Sequence, residues 1–371
     1  MKIPTSPGRL SACALAVGAL VSACSSIGQP AVGQPTPAVS PDESDAGSSD
    51  DLGLSTGRVG SGALAFPPGA ASPLDAAIAA DASLPADPNY LLLPFGVAET
   101  LVDGVTAAED AMFSTDERLF VTGNDGIYEL QRDPSGNLRA TNLHPGEKCV
   151  FTGIVEVGST LYATCADYTN SYLFAASLAG APATPAFRKI YTMDGTVLAN
   201  EIAADPDGRI YVAASAQGKI VRLQLSPADP FTVSRQEDWL STPSGIFPNG
   251  LKYIDSSIYW TDSLGGSVSR AFILLDGTAG PITSFTDPGD GFFDDLYVNS
   301  NGTMVVASYF LGTLRAYGPP PLGGLVAQTP PGAFTNPADV LPALGRFGFG
   351  TGDLIVTDKG ANRVVLFHLP F

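Results

Sequence analysis

Six short apolar runs, Leu119-Phe120-Val121, Leu161-Tyr162-Ala163, Ile210-Tyr211-Val212, Ile258-Tyr259-Trp260, Met304-Val305-Val306 and Leu354-Ile355-Val356, return at intervals of 42, 49, 48, 46 and 50 residues. Each follows a turn containing Asp, Gly or Ser, and most are followed by a Gly- or Asn-containing turn and another strand-like stretch. Those further stretches are Gly126-Ile127-Tyr128, Lys219-Ile220-Val221-Arg222, Ser267-Val268-Ser269-Arg270, Thr313-Leu314-Arg315 and Arg363-Val364-Val365. β-Branched and aromatic runs bounded by turn residues read as strands. A repeat of this length holds about four strands and buries its faces only against its neighbours, which is the behaviour of propeller blades. Helical periodicity over ten or more residues is nearly absent, so a βαβ repeat of similar spacing is disfavoured. The pattern predicts an all-β chain in which residues 89–371 form a six-bladed β-propeller, with four-stranded blades around a central channel.

The first 88 residues have a different character. Lys2 and Arg9 precede an apolar stretch over residues 10–21 that is too short to span a bilayer, followed by small residues, as in an export signal. Leu20-Val21-Ser22-Ala23-Cys24 resembles the bacterial lipobox, which makes residues 1–23 a lipoprotein signal peptide and Cys24 the lipidation site. Residues 24–60 are rich in Ser, Pro, Gly, Gln and Asp and lack the apolar mass to offset ordering, so they read as a disordered tether. Residues 61–88 read as a linker with a short Ala-rich helix closed off by Pro85 and Pro88. The expected location is the cell envelope, with the N-terminal lipid as the only membrane contact and a monomeric folded part. No apolar run beyond the N-terminus reaches the roughly 18 residues a membrane helix needs.

Charge narrows the partners. With 19 Lys and Arg against 37 Asp and Glu, the net charge of −18 repels a phosphate backbone, so nucleic acid is excluded as a partner. Catalytic classes narrow too: two histidines and no Gly-x-Ser-x-Gly elbow leave little for a serine triad. Gly348, Gly350 and Gly352 imitate a phosphate loop, but no helix follows them, and turn or bulge duty is the better reading.

The periodicity also brings polar residues into register. Glu109, Asn200 and Asp294 each stand ten residues before a second-strand core, and Asn249 stands nine before its own. Innermost strands of a propeller start at one mouth of the channel, so equivalent positions converge on the axis. Two carboxylates and two amide carbonyls, without thiol or imidazole, suit Ca²⁺ with its oxygen ligands at about 2.4 Å, with Mg²⁺ and Mn²⁺ as alternatives. The competing reading is turn duty, which Asn and Asp often serve before a strand; repetition at one offset favours the metal.

Glu109-Asp110-Ala111-Met112-Phe113, Asn200-Glu201-Ile202, Pro248-Asn249-Gly250-Leu251 and Phe293-Asp294-Asp295-Leu296 resemble the four metal-ligand motifs of the regucalcin/gluconolactonase superfamily. The turns at Asp205-Pro206-Asp207-Gly208 and Asn301-Gly302 resemble that family's as well, and the paraoxonases, more distant six-bladed relatives, share a similar ligand set. The resemblance implies a calcium-dependent hydrolase of small lactones or esters, in which Asp294 is both a metal ligand and the catalytic general base. The alternative is a non-catalytic, metal-stabilised propeller acting as a binding module. The chain departs from the family at Leu198, where gluconolactonase-like enzymes place a substrate-binding arginine, so sugar-acid lactones are disfavoured. It departs from the paraoxonases at Cys149-Val150-Phe151-Thr152, where they place a histidine; His144 reads as a loop residue, and His368 lies in the final strand. Cys149 and Cys165 flank a hairpin with its tip near Gly158, and in an exported protein they are disulfide candidates.

Overall fold

The computed structural model describes residues 97–180, 184–243, 245–285, 292–319 and 324–368. The signal, Cys24, the tether and the linker lie outside the described residues.

Among the described residues twenty-four strands form six four-stranded antiparallel sheets. The first blade comprises β2 (Ala111–Phe113), β3 (Leu119–Gly123), β4 (Gly126–Arg132) and β5 (Leu138–Asn142), preceded in the chain by β1 (Val97–Asp103). The second is β6 (Val150–Val157), β7 (Thr160–Ala166), β8 (Ser171–Ser177) and β9 (Arg188–Met193). The third is β10 (Ala199–Ala204), β11 (Arg209–Ala214), β12 (Lys219–Ser226) and β13 (Asp229–Ser241). The fourth is β14 (Pro248–Ile254), β15 (Ser257–Asp262), β16 (Ser267–Ile273) and β17 (Ala279–Ser284). The fifth is β18 (Phe293–Val298), β19 (Met304–Ser308), β20 (Thr313–Tyr317) and β21 (Leu325–Gln328). The sixth holds β22 (Pro337–Pro342), β23 (Leu354–Asp358) and β24 (Arg363–His368), and β1 completes it, pairing antiparallel with β24 from Val97 opposite His368 to Asp103 opposite Arg363. The result is a six-bladed propeller.

The apolar triplets are the second strands, as their composition predicts. Every residue of β3, β7, β15, β19 and β23 is buried, because both faces of a blade's middle strands meet the neighbouring blades. The outer strand β5 alternates partly buried and exposed positions. Packing between blades is continuous: Tyr162 and Leu173 of the second meet Ile202, Val212 and Leu223 of the third. Tyr211 of the third meets Trp260 of the fourth, and Val305 and Leu314 of the fifth meet Val340 and Val356 of the sixth. The turns from first to second strands use side-chain acceptors. Asp205 Oδ1 takes the Asp207 and Arg209 N–H groups at 3.0 Å each, and Asn299 Oδ1 takes the Thr303 N–H at 2.8 Å. The glycines at 348–352 belong to the turn leading into β23, where the Gly350 N–H donates to Asp353 Oδ2 at 2.7 Å.

Candidate metal centre and channel

Where the innermost strands begin, the pairing slips by one residue. The irregularity falls between Ala199 and Ile202 in β10, Pro248 and Leu251 in β14, Phe293 and Leu296 in β18, and Pro337 and Val340 in β22. Such a bulge sets two consecutive residues opposite one and breaks the alternation of faces. Consecutive positions can then both be used at the channel: Asn200 and Glu201, Asn249 and Gly250, Asp294 and Asp295, Ala338 and Asp339. Glu109 and Asp110, just before β2, are fixed the same way, the Glu109 N–H donating to Thr122 O and the Thr122 N–H to Asp110 O.

Threonines on the second strands lock these bulges together. Thr122, Thr261 and Thr357 Oγ1 accept the N–H of Asp110, Gly250 and Asp339 within their own blades, at 3.0, 2.8 and 2.8 Å. Thr357 Oγ1 donates onward to Glu109 O at 2.5 Å, Thr164 Oγ1 to Asn200 O at 2.8 Å, and Thr261 Oγ1 to Asp294 O. One hydroxyl thus joins two blades beside the axis. Gly250 has its own reason: a Cβ there would lie 2.2 Å from Asp295 Oδ1 and 2.5 Å from Asp295 Cα, so only glycine lets the fifth blade approach.

Two tiers result. In the upper tier Glu109, Asn249 and Asp294 are each about 95% buried. Asn249 Nδ2 donates to Asp294 Oδ1 at 2.5 Å and to Ser263 Oγ at 2.8 Å, and Ser263 Oγ donates to Phe293 O at 3.1 Å. Lys359, in the turn between β23 and β24, forms an ion pair with Glu109 Oε2. Burial and the Glu109 charge hold the Asp294 carboxyl well above the usual carboxylate range, against the opposing pull of Lys359 and Asn249. Burial acts against the Lys359 ammonium, yet Glu109 and Asp294 outweigh it and keep its pKa above the ordinary lysine value. Asn200 sits at the equivalent bulge position, half-buried, and no described hydrogen bond ties its amide to the other three.

The lower tier was not anticipated. Lys252, on β14, reaches Asp295 Oδ2 at 2.5 Å, Asp339 Oδ1 at 3.5 Å, Glu201 Oε1 at 3.7 Å and Asp110 Oδ1 at 3.9 Å. Carboxylate oxygens of Asp110, Asp295 and Asp339 lie within 4.8 Å of one another, a spacing a metal ion could bridge. Backbone donors hold two of them: Ile154 N–H to Asp110 Oδ2 at 2.7 Å and Ala111 N–H to Asp339 Oδ2 at 3.0 Å, each from the next blade. Burial pushes the Asp110 carboxyl up to about 7, with Lys252 pulling it down and Asp339 adding to the rise. Glu201 and Asp295 are likewise raised well above the usual range, chiefly by burial.

The remaining sequence candidates lie elsewhere. His144 packs against Phe151 and Phe174, with ring centroids 5.7 and 5.3 Å apart, and its Nε2 lies 3.6 Å from Glu147. His368 Nδ1 is 3.0 Å from Asp353 and its Nε2 is 3.5 Å from Glu99 of the closing strand, so the two histidines form no dyad. Leu198 is buried one residue before β10. Cys149 and Cys165 are joined as a disulfide with Cα atoms 5.6 Å apart, both sulfurs inside the second blade's core. A surface hollow bounded by Arg118, Glu129, Arg132 and Phe347 lies away from these tiers, and its Arg118–Glu129 pair is closed on itself at 2.7 Å. Among the described residues no helix is long and apolar enough to cross a membrane.

The ring can be compared with solved propellers. It is similar to a gluconolactonase from Xanthomonas campestris, with a TM-score of 0.55 and 15% identity over 76% of this chain and 92% of that one. It is similar to a luciferin-regenerating enzyme at 0.55 and 14%, over 73% and 95% of the two chains. A propeller from a nidogen/laminin complex gives 0.52 and 17%, over 68% and 89%. These likenesses show the fold, and they include both enzymes and a member of a binding complex. No family model and no curated protein sequence matches the chain.

Proposed function

We propose that the upper tier holds one divalent cation, Ca²⁺ before Mg²⁺ or Mn²⁺, and that the protein hydrolyses small lactones or esters there. The observation that carries this reading is the meeting of Glu109, Asn249 and Asp294 on locked bulges at one mouth of the ring, with Asn200 at the equivalent position. The donor set fits a hard cation: every candidate ligand is oxygen, and two buried like charges need a positive partner. Lys359 is that partner in the structure, paired with Glu109. A bound divalent ion would polarise the substrate carbonyl and stabilise charge developing on its oxygen.

The chain's own groups supply the rest. Asp294, whose ionised form a bound cation would favour, is suited to accept a proton from an attacking water and pass it to the leaving oxygen. Asn249 fixes the Asp294 carboxylate through the 2.5 Å hydrogen bond, and Ser263 fixes Asn249 in turn. Threonine hydroxyls hold the backbone of Glu109 and Asp294, so the two carboxylates keep their separation as protons move. Leu198, in place of a cationic side chain, disfavours sugar acids as substrates. The lipobox reading of Cys24 puts this chemistry at the cell envelope, and a disulfide suits an oxidising compartment.

The test is metal analysis of purified protein together with a lactone and ester panel, with and without chelator. Asp294→Asn, saturated with Ca²⁺, is expected to lose roughly 10² to 10⁴-fold in turnover, the usual worth of general base catalysis. Near-normal turnover in that variant rejects the base assignment. A wild type that hydrolyses nothing yet gains thermal stability with Ca²⁺ supports the binding-module reading instead.

A further inference from the structure

The acidic mouth carries an apolar collar on one side. Turns between second and third strands lie at the end of the ring where the innermost strands begin, and two of them expose large apolar side chains: Leu264 is 58% exposed, Phe310 52% and Leu311 46%. Phe310 does not stand alone. It packs on Phe292 and Tyr309 with centroids 4.9 and 5.2 Å apart, and the Tyr309 N–H donates to Phe292 O at 2.9 Å. Phe292 stands two residues before Asp294, and Leu264 directly follows Ser263, the residue that holds Asn249. On the far side, Lys359 Nζ lies 5.9 Å from the Tyr309 ring, tying the aromatic group to the Glu109 ion pair.

We propose that this collar, formed by Leu264, Phe292, Phe310 and Leu311, is the binding site for an alkyl or aryl substituent of an uncharged lactone or ester whose carbonyl sits over Asp294. The inference rests on the hydrolase reading and names its substrate class. Continuity with the candidate site selects this occupant. The collar adjoins the residues that position Asn249 and Asp294, so a ligand bridging them needs a polar end for the channel and an apolar end for the rim. Negative charge on the substrate is disfavoured beside Glu109 and Asp294. Polyhydroxylated substrates would leave hydroxyls unpaired against Phe310 and Leu264, which penalises them relative to apolar ones.

Two readouts on the Ca²⁺-loaded protein separate the collar from the chemistry. The first is kcat/KM across γ-lactones with unbranched side chains of one to eight carbons, and the second is calorimetric binding of the matching γ-lactams, which resist hydrolysis. Each methylene buried on the collar is expected to tighten binding and raise kcat/KM about fourfold until the collar is covered. Phe310→Ser combined with Leu264→Ser is expected to flatten both series while leaving Ca²⁺ affinity unchanged. Chain-length-dependent lactam binding without lactone turnover sustains the collar and rejects the hydrolase. Turnover or binding indifferent to chain length, or a double variant that keeps the dependence, overturns the collar. Absence of lactam binding at every length overturns it as well.

Discussion

Replacing Lys252 by methionine keeps the length of the aliphatic stem and removes the ammonium placed among Asp110, Glu201, Asp295 and Asp339. Its ammonium lies between 2.5 and 3.9 Å from four carboxylates, although the side chain as a whole is 27% exposed. At an effective dielectric of about 20, one such pair at 4 Å is worth about 4 kcal/mol of attraction, which burial of the charges largely offsets. Removal of one partner forfeits the attraction while the burial cost remains, and for a buried pair that amounts to about 3–5 kcal/mol. For a ring of this size about 2 °C of melting temperature accompanies each kcal/mol, so Lys252→Met is expected to melt about 6–10 °C lower at pH 8 in chelator. The deficit has a sign in pH. Asp110, Glu201 and Asp295 have folded pKa values raised above their unfolded ones, so each favours folding below its unfolded value and loses that contribution as pH rises through the folded value, about 7 for Asp110. At pH 5 more of these carboxyls are protonated, their repulsion is weaker, and the deficit should shrink. Thermal melts by circular dichroism at pH 5 and pH 8 decide it. Equal melting temperatures at pH 8, or a larger deficit at pH 5, would refute the view of Lys252 as the counter-ion of the lower tier.

Three further perturbations test neighbouring claims. Lys359→Met removes the ammonium that competes for Glu109, so Ca²⁺ should bind tighter by about tenfold or more in isothermal titration, and weaker binding would exclude that competition. The His368 pKa is raised, first by its hydrogen bond to Asp353 and then by the charges of Asp353 and Glu99, so its stabilisation is complete below the ordinary value of 6.5 and fades as pH rises through the raised one. His368→Gln should therefore lower the melting temperature more at pH 5.5 than at pH 9, and the opposite trend would remove the claim. Replacing Cys149 and Cys165 together by alanine opens a cross-link spanning 16 residues and is expected to cost about 3 kcal/mol in denaturant unfolding; an unchanged midpoint would show that the bridge contributes nothing.

Much of the ring was legible because its second strands are buried on both faces and so carry uninterrupted apolar triplets, a signal that survives without alignment. What escaped had physical reasons. The third strand of the second blade, β8, follows a turn in which Tyr168 adopts a φ of +66°, and no turn rule points to tyrosine there. The closing strand β1 precedes the first repeat, and its mostly exposed residues carry no core signature. Within the channel, Glu109, Asn249 and Asp294 could be placed by a constant offset from the triplets. Strict alternation would have turned Asp110, Glu201 and Asp295 away from them, and the bulges that bring these residues into a second tier leave no mark in composition. Asp339 escaped for another reason: it stands fifteen residues before its triplet instead of nine, because the turn between β22 and β23 is longer. Lys252 escaped because nothing in the spacing singles out a lysine three residues after an expected ligand.

The pairing of β1 with β24 also sets an order of events in biosynthesis. Val97 and His368 are partners about 270 residues apart, so the first strand of the ring to be made must wait for the last. Until then β1 is an unpaired strand edge, the kind of segment that recruits other chains. Charge tempers the wait: Glu99 and Asp103 interrupt the strand, although Leu101 and Val102 pack partly buried against the core. A nascent chain emerging in the N-to-C direction would expose five buildable blades and an open seam, and the ring would close only when residues 363–368 emerged. Truncation of those few residues would therefore strand both ends of the molecule at once, leaving a protein with most of its mass folded and a sticky gap for proteases and neighbouring chains to find.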